Sequence, residues 1–172
     1  MRRLSIILLV VLAAVPAAAL ARGKSTGDGV FELKSAALVN KSSITGKGAI
    51  WGQLDRGTIT VTDRNVNDSI WPLVSGGVAS THSTSDGGTT TYTGRDIRFR
   101  FAGGRFKIVI SGLGVDLTAV GIGKATLTGN ANVDDDGEWA LDGGEWFPVT
   151  LSQTVVTFGG FQPAPLPVTA FP

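Results

Sequence analysis

The segment that decides the fold is RFRFAGGRFKI, residues 98–108, in which large apolar side chains alternate with cationic ones. Successive side chains of a β-strand point to opposite faces of the sheet, so this alternation predicts strands with one buried and one exposed face. Gly103-Gly104, between the two alternating halves, tolerates the positive φ angles of a tight turn. We therefore predict a β-hairpin in which Phe101 lies opposite Phe106.

The same two-residue period continues along the chain, which has 24 glycines and lacks apolar residues at helical spacing. Every second residue from Leu113 to Val133 is apolar or glycine. A single strand of that length would exceed the usual upper limit of about 10 residues, so we expect a bend at Gly121 to Gly123. The pattern predicts an all-β fold, either an antiparallel β-sandwich or a partly closed β-barrel, built from sequential hairpins.

The N-terminus has the layout of a secretory signal peptide: a basic start at Met1-Arg2-Arg3, an apolar run over Leu4–Leu12 and a small-x-small site at Ala19-Leu20-Ala21. The apolar run is short of the roughly 20 residues that a transmembrane helix needs. We expect a secreted or cell-envelope protein with no transmembrane span after signal removal. Residues 1–21 form the signal peptide in this division, 22–162 a single all-β domain and 163–172 a Pro-rich C-terminal tail.

Charge and cysteine content exclude several classes of function. The chain has 15 basic and 14 acidic side chains and no cysteine. Loss of Arg2 and Arg3 with the signal peptide leaves 13 basic side chains and a net charge of −1. A near-neutral chain argues against a nucleic-acid partner, which requires a strongly basic surface. The absence of cysteine excludes disulfides, a thiol nucleophile and thiolate metal ligands.

An acidic segment near the middle of the second half offers a candidate cation site. Asn132, Asp134 and Asp136 alternate, so on an extended chain their oxygens project to one side, as hard cations such as calcium require. The alternative is a hairpin turn at residues 135–137, with Val133 opposite Trp139. The sequence leaves both open, and calcium is the only cofactor that it suggests.

Four cationic side chains in and beside the opening segment form a candidate anion-binding surface: Arg98, Arg100, Arg105 and Lys107. Such a surface fits an anionic envelope polymer or another envelope protein as partner. The alternative is a structural role, because edge or solvent-facing strands carry Lys and Arg to prevent pairing with other chains.

Two tryptophans near prolines, Trp71 and Trp146, are candidates for an exposed aromatic platform that stacks on sugars. The alternative is that they are buried in the core, as large aromatic side chains usually are.

Catalysis has little support in the sequence. His82 is the only histidine, and it lies in the polar run Ser80–Thr93, which we predict to be a long exposed loop or a mobile hairpin tip. We expect a non-enzymatic binding or surface protein. A calcium-stabilised or carbohydrate-binding β module is the alternative, and a small secreted hydrolase that uses His82 or a carboxylate pair is the second alternative.

Overall fold

The computed structural model describes residues 27–35, 39–63, 72–83, 88–129 and 137–160. The predicted signal peptide, residues 1–21, and the Pro-rich tail, residues 163–172, lie outside these ranges and stay predictions.

The described residues form eight strands and no helix. Their bounds are β1 Gly29–Ser35, β2 Val39–Asp63, β3 Leu73–Ser83, β4 Thr89–Leu113, β5 Val115–Thr128, β6 Glu138–Leu141, β7 Trp146–Pro148 and β8 Thr154–Phe158. All pairings are antiparallel. The prediction of an all-β antiparallel fold is therefore confirmed.

The strands join in one sheet in the order β3-β4-β2-β5-β1-β6-β7, and β8 pairs with β5. Sequential hairpins account for only two of these pairs, β3 with β4 and β6 with β7. The other pairs join strands that are distant in sequence. The sheet is not closed, and it is consistent with a sandwich or a partly open barrel.

Strand β2 is the centre of the sheet and pairs with β4 along both of its edges. On one edge the ladder runs from Ser42 opposite Ile110 to Thr62 opposite Thr89. On the other edge β5 pairs with the first part of β2, and the end of β4 pairs with the last part, so that Thr60 faces Val109 as well as Thr91. Strands β2 and β4 form a two-stranded ribbon. This ribbon can pair along both edges of β2 only if it curls, which explains the barrel-like curvature.

A row of glycines marks one bend of this curled sheet. Gly48 on β2, Gly121 on β5 and Gly29 on β1 are aligned across the three strands. Gly48 and Gly121 have φ angles of +142° and +139°, and a Cβ on Gly121 would lie 2.2 Å from the carbonyl oxygen of Lys47. Only glycine permits this backbone conformation and this close approach. The bend predicted at Gly121 to Gly123 thus coincides with the positive φ angle of Gly121.

The core fills the inner face of the curled sheet. The Phe101 and Phe106 rings meet edge to face with centroids 5.6 Å apart, and Phe31 stacks on Phe158 at 5.8 Å. The largest fully buried side chains also include Leu33, Ile44, Ile50, Leu54, Ile59, Ile97, Ile108, Ile110 and Leu117. No buried side-chain nitrogen or oxygen in the described residues lacks a hydrogen-bond partner.

The predicted hairpin at Gly103-Gly104 is wrong. Both glycines lie inside β4, where a register shift relative to β2 marks a bulge. Phe101 pairs with Ile50 and Phe106 pairs with Gly46, so the two phenylalanines touch by their rings without being cross-strand partners. Alternation specifies which face each residue takes but not which strand it pairs with, and β2 was available to both halves of β4.

The long-loop prediction for Ser80–Thr93 is wrong, whereas the alternative, a hairpin, agrees with the antiparallel pairing of β3 with β4 up to Ser83 opposite Thr89. Residues 80–83 belong to β3 and residues 89–93 to β4. The polar side chains stabilise the sheet directly, because Thr60 and Thr91 form a hydroxyl hydrogen bond of 3.0 Å across β2 and β4. Two further threonine pairs of the same kind flank it. Threonine is β-branched and suits a strand even where the neighbouring residues are small and polar.

Trp139 lies in β6, where it pairs with Leu33 on one edge and Phe147 on the other. Val133, its predicted partner, lies outside the described residues.

Candidate anion-binding surface

The four predicted cations are all exposed on the outer face of β4. The bulge at Gly103-Gly104 separates them into two pairs: Arg98 with Arg100, and Arg105 with Lys107. The two pairs have different electrostatic surroundings.

Arg98 lies in a row of mixed charge. Across the sheet its register neighbours are Gln53, then Asp116, then Lys34, then Glu138. Opposite charges therefore alternate along this row, which is the arrangement of an ordinary solvent-facing sheet surface.

Arg100 lies between two exposed apolar side chains. Leu73 on β3 and Trp51 on β2 are its direct cross-strand partners, and they are 68% and 39% exposed. Trp51 therefore exposes its indole on the outer face of the central strand β2. Sequence reasoning missed it, although the buried positions of β2 up to residue 54 are even-numbered, as Ile50 and Leu54 show, which places Trp51 on the outer face.

Arg105 and Lys107 meet two further cations that sequence reasoning did not connect with them. Lys47 on β2 lies directly opposite Arg105, and Thr45 lies between Lys107 on one side and Lys124 of β5 on the other. We call Lys47, Arg105, Lys107 and Lys124 the basic face.

The basic face has no carboxylate among its described register partners. The residues opposite its four cations, apart from the cations themselves, are Thr45, Thr62, Ile122 and Thr157. No described register neighbour therefore balances these four positive charges, in contrast to the mixed row of Arg98.

Protection of a sheet edge does not explain Lys47. Strand β2 has β4 on one edge and β5 on the other, so its backbone groups are already paired where Lys47 lies. A lysine that prevents edge-to-edge association would lie on an outer strand. Edge protection therefore does not account for Lys47, whereas a solvent-facing structural role for Arg98, Arg100, Arg105 and Lys107 stays the alternative prediction.

The two predicted aromatic candidates do not form an exposed platform in the described residues. Trp71 lies outside them. Trp146 is half-buried, and the Lys34 ammonium nitrogen lies 4.8 Å from its ring centroid in a cation–π contact. Trp139 stacks on Phe147 with centroids 5.0 Å apart.

The candidate calcium ligands Asn132, Asp134 and Asp136 lie outside the described residues, so the calcium site stays a prediction. Within the described ranges, no three His, Cys, Asp or Glu side chains lie close enough together to hold a metal ion. His82 belongs to β3 and pairs through its backbone with Thr90.

Sequence comparison adds no assignment. Comparison with protein families, with curated proteins and with solved structures finds no match to this chain. In the described part of the chain, no helix has the length and apolar character that crossing a bilayer requires.

Proposed function

We propose that this protein is a non-enzymatic, secreted or cell-envelope protein that binds an anionic envelope polymer through the basic face. The observation that carries the proposal is the pairing of Lys47 with Arg105 in the centre of the sheet, beside Lys107 and Lys124 and without a carboxylate partner.

Folding alone gives no reason for this arrangement. Like charges directly opposite each other on neighbouring strands destabilise a sheet, by roughly 0.2–1 kcal/mol per pair. An anion bound over Lys47 and Arg105 removes that repulsion and gains favourable interactions with both cations. Ligand binding thus offsets the electrostatic repulsion that destabilises the free protein.

The spacing of the charges favours a polymer over a small anion. Cross-strand partners lie about 5 Å apart, and alternate residues of one strand about 7 Å apart. Arg105 and Lys107 on β4, together with Lys124 two strands away, therefore cover an area wider than a single phosphate or carboxylate. A chain of repeating anionic groups contacts several of these cations at once.

Carbohydrate binding is a second candidate, favoured by Trp51. Trp51 exposes its indole and is the cross-strand partner of Arg100, which is exposed on the same face of the sheet. An aromatic face stacks on the CH groups of a sugar ring while a guanidinium binds an acidic substituent. The two proposed functions are compatible if the anionic polymer contains sugars.

The test measures binding of the full-length secreted chain to polygalacturonate and to long-chain polyphosphate, with neutral dextran as a blank. Lys47→Gln combined with Lys124→Gln removes two cations from the basic face. Lys34→Gln combined with Arg98→Gln removes two cations from the mixed-charge row. The two double variants therefore have the same net charge.

We expect the basic-face variant to weaken binding to at least one anionic polymer by about tenfold, and the control variant by less than about threefold. Binding should also fall steeply with added salt, because each neutralised charge releases counterions. Equal losses in the two variants would indicate an effect of net charge alone and refute the proposed face. Salt-independent binding, or no binding to either polymer, would refute electrostatic recognition.

A further inference from the structure

A second pair of like charges lies on the ribbon away from the basic face. Arg56 on β2 is the direct cross-strand partner of Arg95 on β4. The two arginines border an open groove of about 310 Å³, whose lining residues are Arg56, Gly57, Thr58, Thr93, Gly94 and Arg95.

The floor of the groove is bare backbone. Gly57 and Gly94 face each other across the two strands between the arginines and the threonines. A Cβ on Gly94 would lie 2.0 Å from the carbonyl oxygen of Gly77, and a Cβ on Gly57 would lie 2.3 Å from that of Ser111. No larger residue fits at either position, so the space between the arginines is kept open by the fold.

The far end of the groove has a spare hydrogen-bond donor. The Thr58 and Thr93 hydroxyl oxygens are 3.1 Å apart, and either one can donate to the other. Two hydroxyls carry two hydrogens, and their mutual bond uses one of them. The second hydroxyl hydrogen is available to an acceptor placed in the groove.

The described residues that line the groove offer hydrogen-bond donors and no carboxylate. The nearest acidic residues in sequence, Asp55 and Asp96, are not among the lining residues. The Asp55 carboxylate lies toward the connection between β4 and β5, since a Cβ on Gly114 would come within 2.1 Å of its Oδ2. An internal salt bridge from Asp55 therefore does not fill the space between the two arginines.

We infer that this groove binds a phosphate group. Two guanidinium forks present parallel N–H donors that match the oxygens of a phosphate in a bidentate manner. The spare threonine hydroxyl donates to a third oxygen, and the glycine floor lets the anion approach the backbone closely. The site deepens the proposed function by naming phosphate as the anionic group, and it does not depend on the basic face to bind a single phosphate.

The location of the groove connects it to the basic face. Three threonine pairs extend along the same face of β2 and β4 from the groove, and the last of them contains Thr62, which lies opposite Lys107. The distance from Arg56 to Thr62 along the strand is roughly 20 Å. A phosphate polymer bound in the groove can therefore reach the basic face along a track of hydroxyl groups.

The experiment titrates the isotope-labelled full-length chain with inorganic phosphate at low ionic strength and follows backbone amide shifts by NMR. Acetate at the same ionic strength serves as the anion control. We expect saturable shifts at Gly57, Thr58, Thr93 and Gly94 with phosphate and not with acetate.

Three variants test the assignment. Arg56→Gln should weaken phosphate binding about tenfold, and Arg56→Lys should weaken it as well, because the charge is kept but the bidentate fork is lost. Lys34→Gln, which removes a cation outside both the groove and the basic face, should bind phosphate within about twofold of the parent chain, since Lys34 lies on β1, separated from β2 by β5. Arg56→Gln should fold normally because it removes a repulsion, and its melting curve checks this.

Long-chain polyphosphate distinguishes the two sources of the phosphate group. Tighter binding per phosphate than inorganic phosphate indicates a polymer ligand, and equal binding per phosphate indicates the free anion. Absence of saturable shifts in the groove with both ligands would refute the site, as would unchanged affinity in Arg56→Gln. If the basic-face variant loses polymer binding but still binds phosphate in the groove, the two sites bind independently of each other.

Discussion

The basic face makes a prediction of unusual sign: removing one of its cations should stabilise the fold. Lys47 faces Arg105 directly across β2 and β4. Lys47→Gln keeps the length and most of the apolar stem of the side chain but removes the positive charge. Because no carboxylate lies at the register positions beside Lys47, the substitution removes a repulsion and breaks no ion pair.

The expected magnitude follows from the geometry of the strand pair. The Cβ atoms of direct partners are about 5 Å apart, and long side chains diverge so that the two charges lie roughly 8 Å apart. In water that separation corresponds to about 0.5 kcal/mol of repulsion. The nearby charges of Lys107 and Lys124 raise the total to between about 0.5 and 1 kcal/mol. For a domain of this size that is a rise in Tm of about 1–4 °C.

The measurement is thermal unfolding followed by circular dichroism at about 10 mM and about 500 mM salt, where the Debye length falls from about 30 Å to about 4 Å. Lys47→Gln should have the higher Tm at low salt, and the difference should shrink at high salt. Lys34→Gln is the matched control, because Lys34 faces Asp116 and Glu138 and contacts the Trp146 ring. It should lower the Tm.

The two substitutions therefore change stability in opposite directions although each removes one lysine charge. A lower Tm for Lys47→Gln at low salt would refute the reasoning, because it would mean that Lys47 has an attractive partner. A rise in Tm for both variants would indicate that the Tm follows net charge and not the local register.

Three further predictions concern the sheet itself. Gly121→Ala should destabilise the protein by more than about 3 kcal/mol in chemical denaturation, because the added Cβ would overlap a carbonyl oxygen of β2. Gly143→Ala is the control and should cost only about 1 kcal/mol, since nothing lies within 4 Å of the added Cβ. Thr60→Val should cost about 1 kcal/mol by leaving the Thr91 hydroxyl without its partner, and the double change with Thr91→Val should recover most of that loss in a double-mutant cycle. Phe106→Ala should cost about 3–5 kcal/mol and remove the edge-to-face contact in the core, with a proportional fall in the denaturation midpoint.

The sequence predicted which face each residue would take better than it predicted which strand would be its partner. Phe101 and Phe106 both point inward although the turn expected between them does not form. A two-residue turn and a bulge at Gly103-Gly104 shift the inward–outward phase in the same way, so the assignment of faces survives the wrong topology. The inward alternation of β5 was likewise predictable, because that pattern is local.

Partner strands were not predictable because they depend on how far the ribbon curls. Lys47 and Lys124 are 77 residues apart in the sequence and reach one surface only because β5 continues the ladder along the edge of β2. Arg56 and Arg95 belong to a ribbon whose two strands are separated by the whole of β3. No short-range pattern contains that information.

Glycine connects the curl of the sheet to the position of its charges. In the sequence, Lys47, Arg56, Arg95, Arg105 and Lys124 are each adjacent to a glycine. At the bends the backbone requires glycine, and the neighbouring outward-facing position lies on the convex side, where long side chains diverge. Divergence reduces the repulsion between like charges, which makes a bend the least costly place in the sheet for an unbalanced cation. The residues that curl the sheet thus also set the spacing of the cations, and a ligand that binds several of them should slow the opening of the bends in hydrogen exchange.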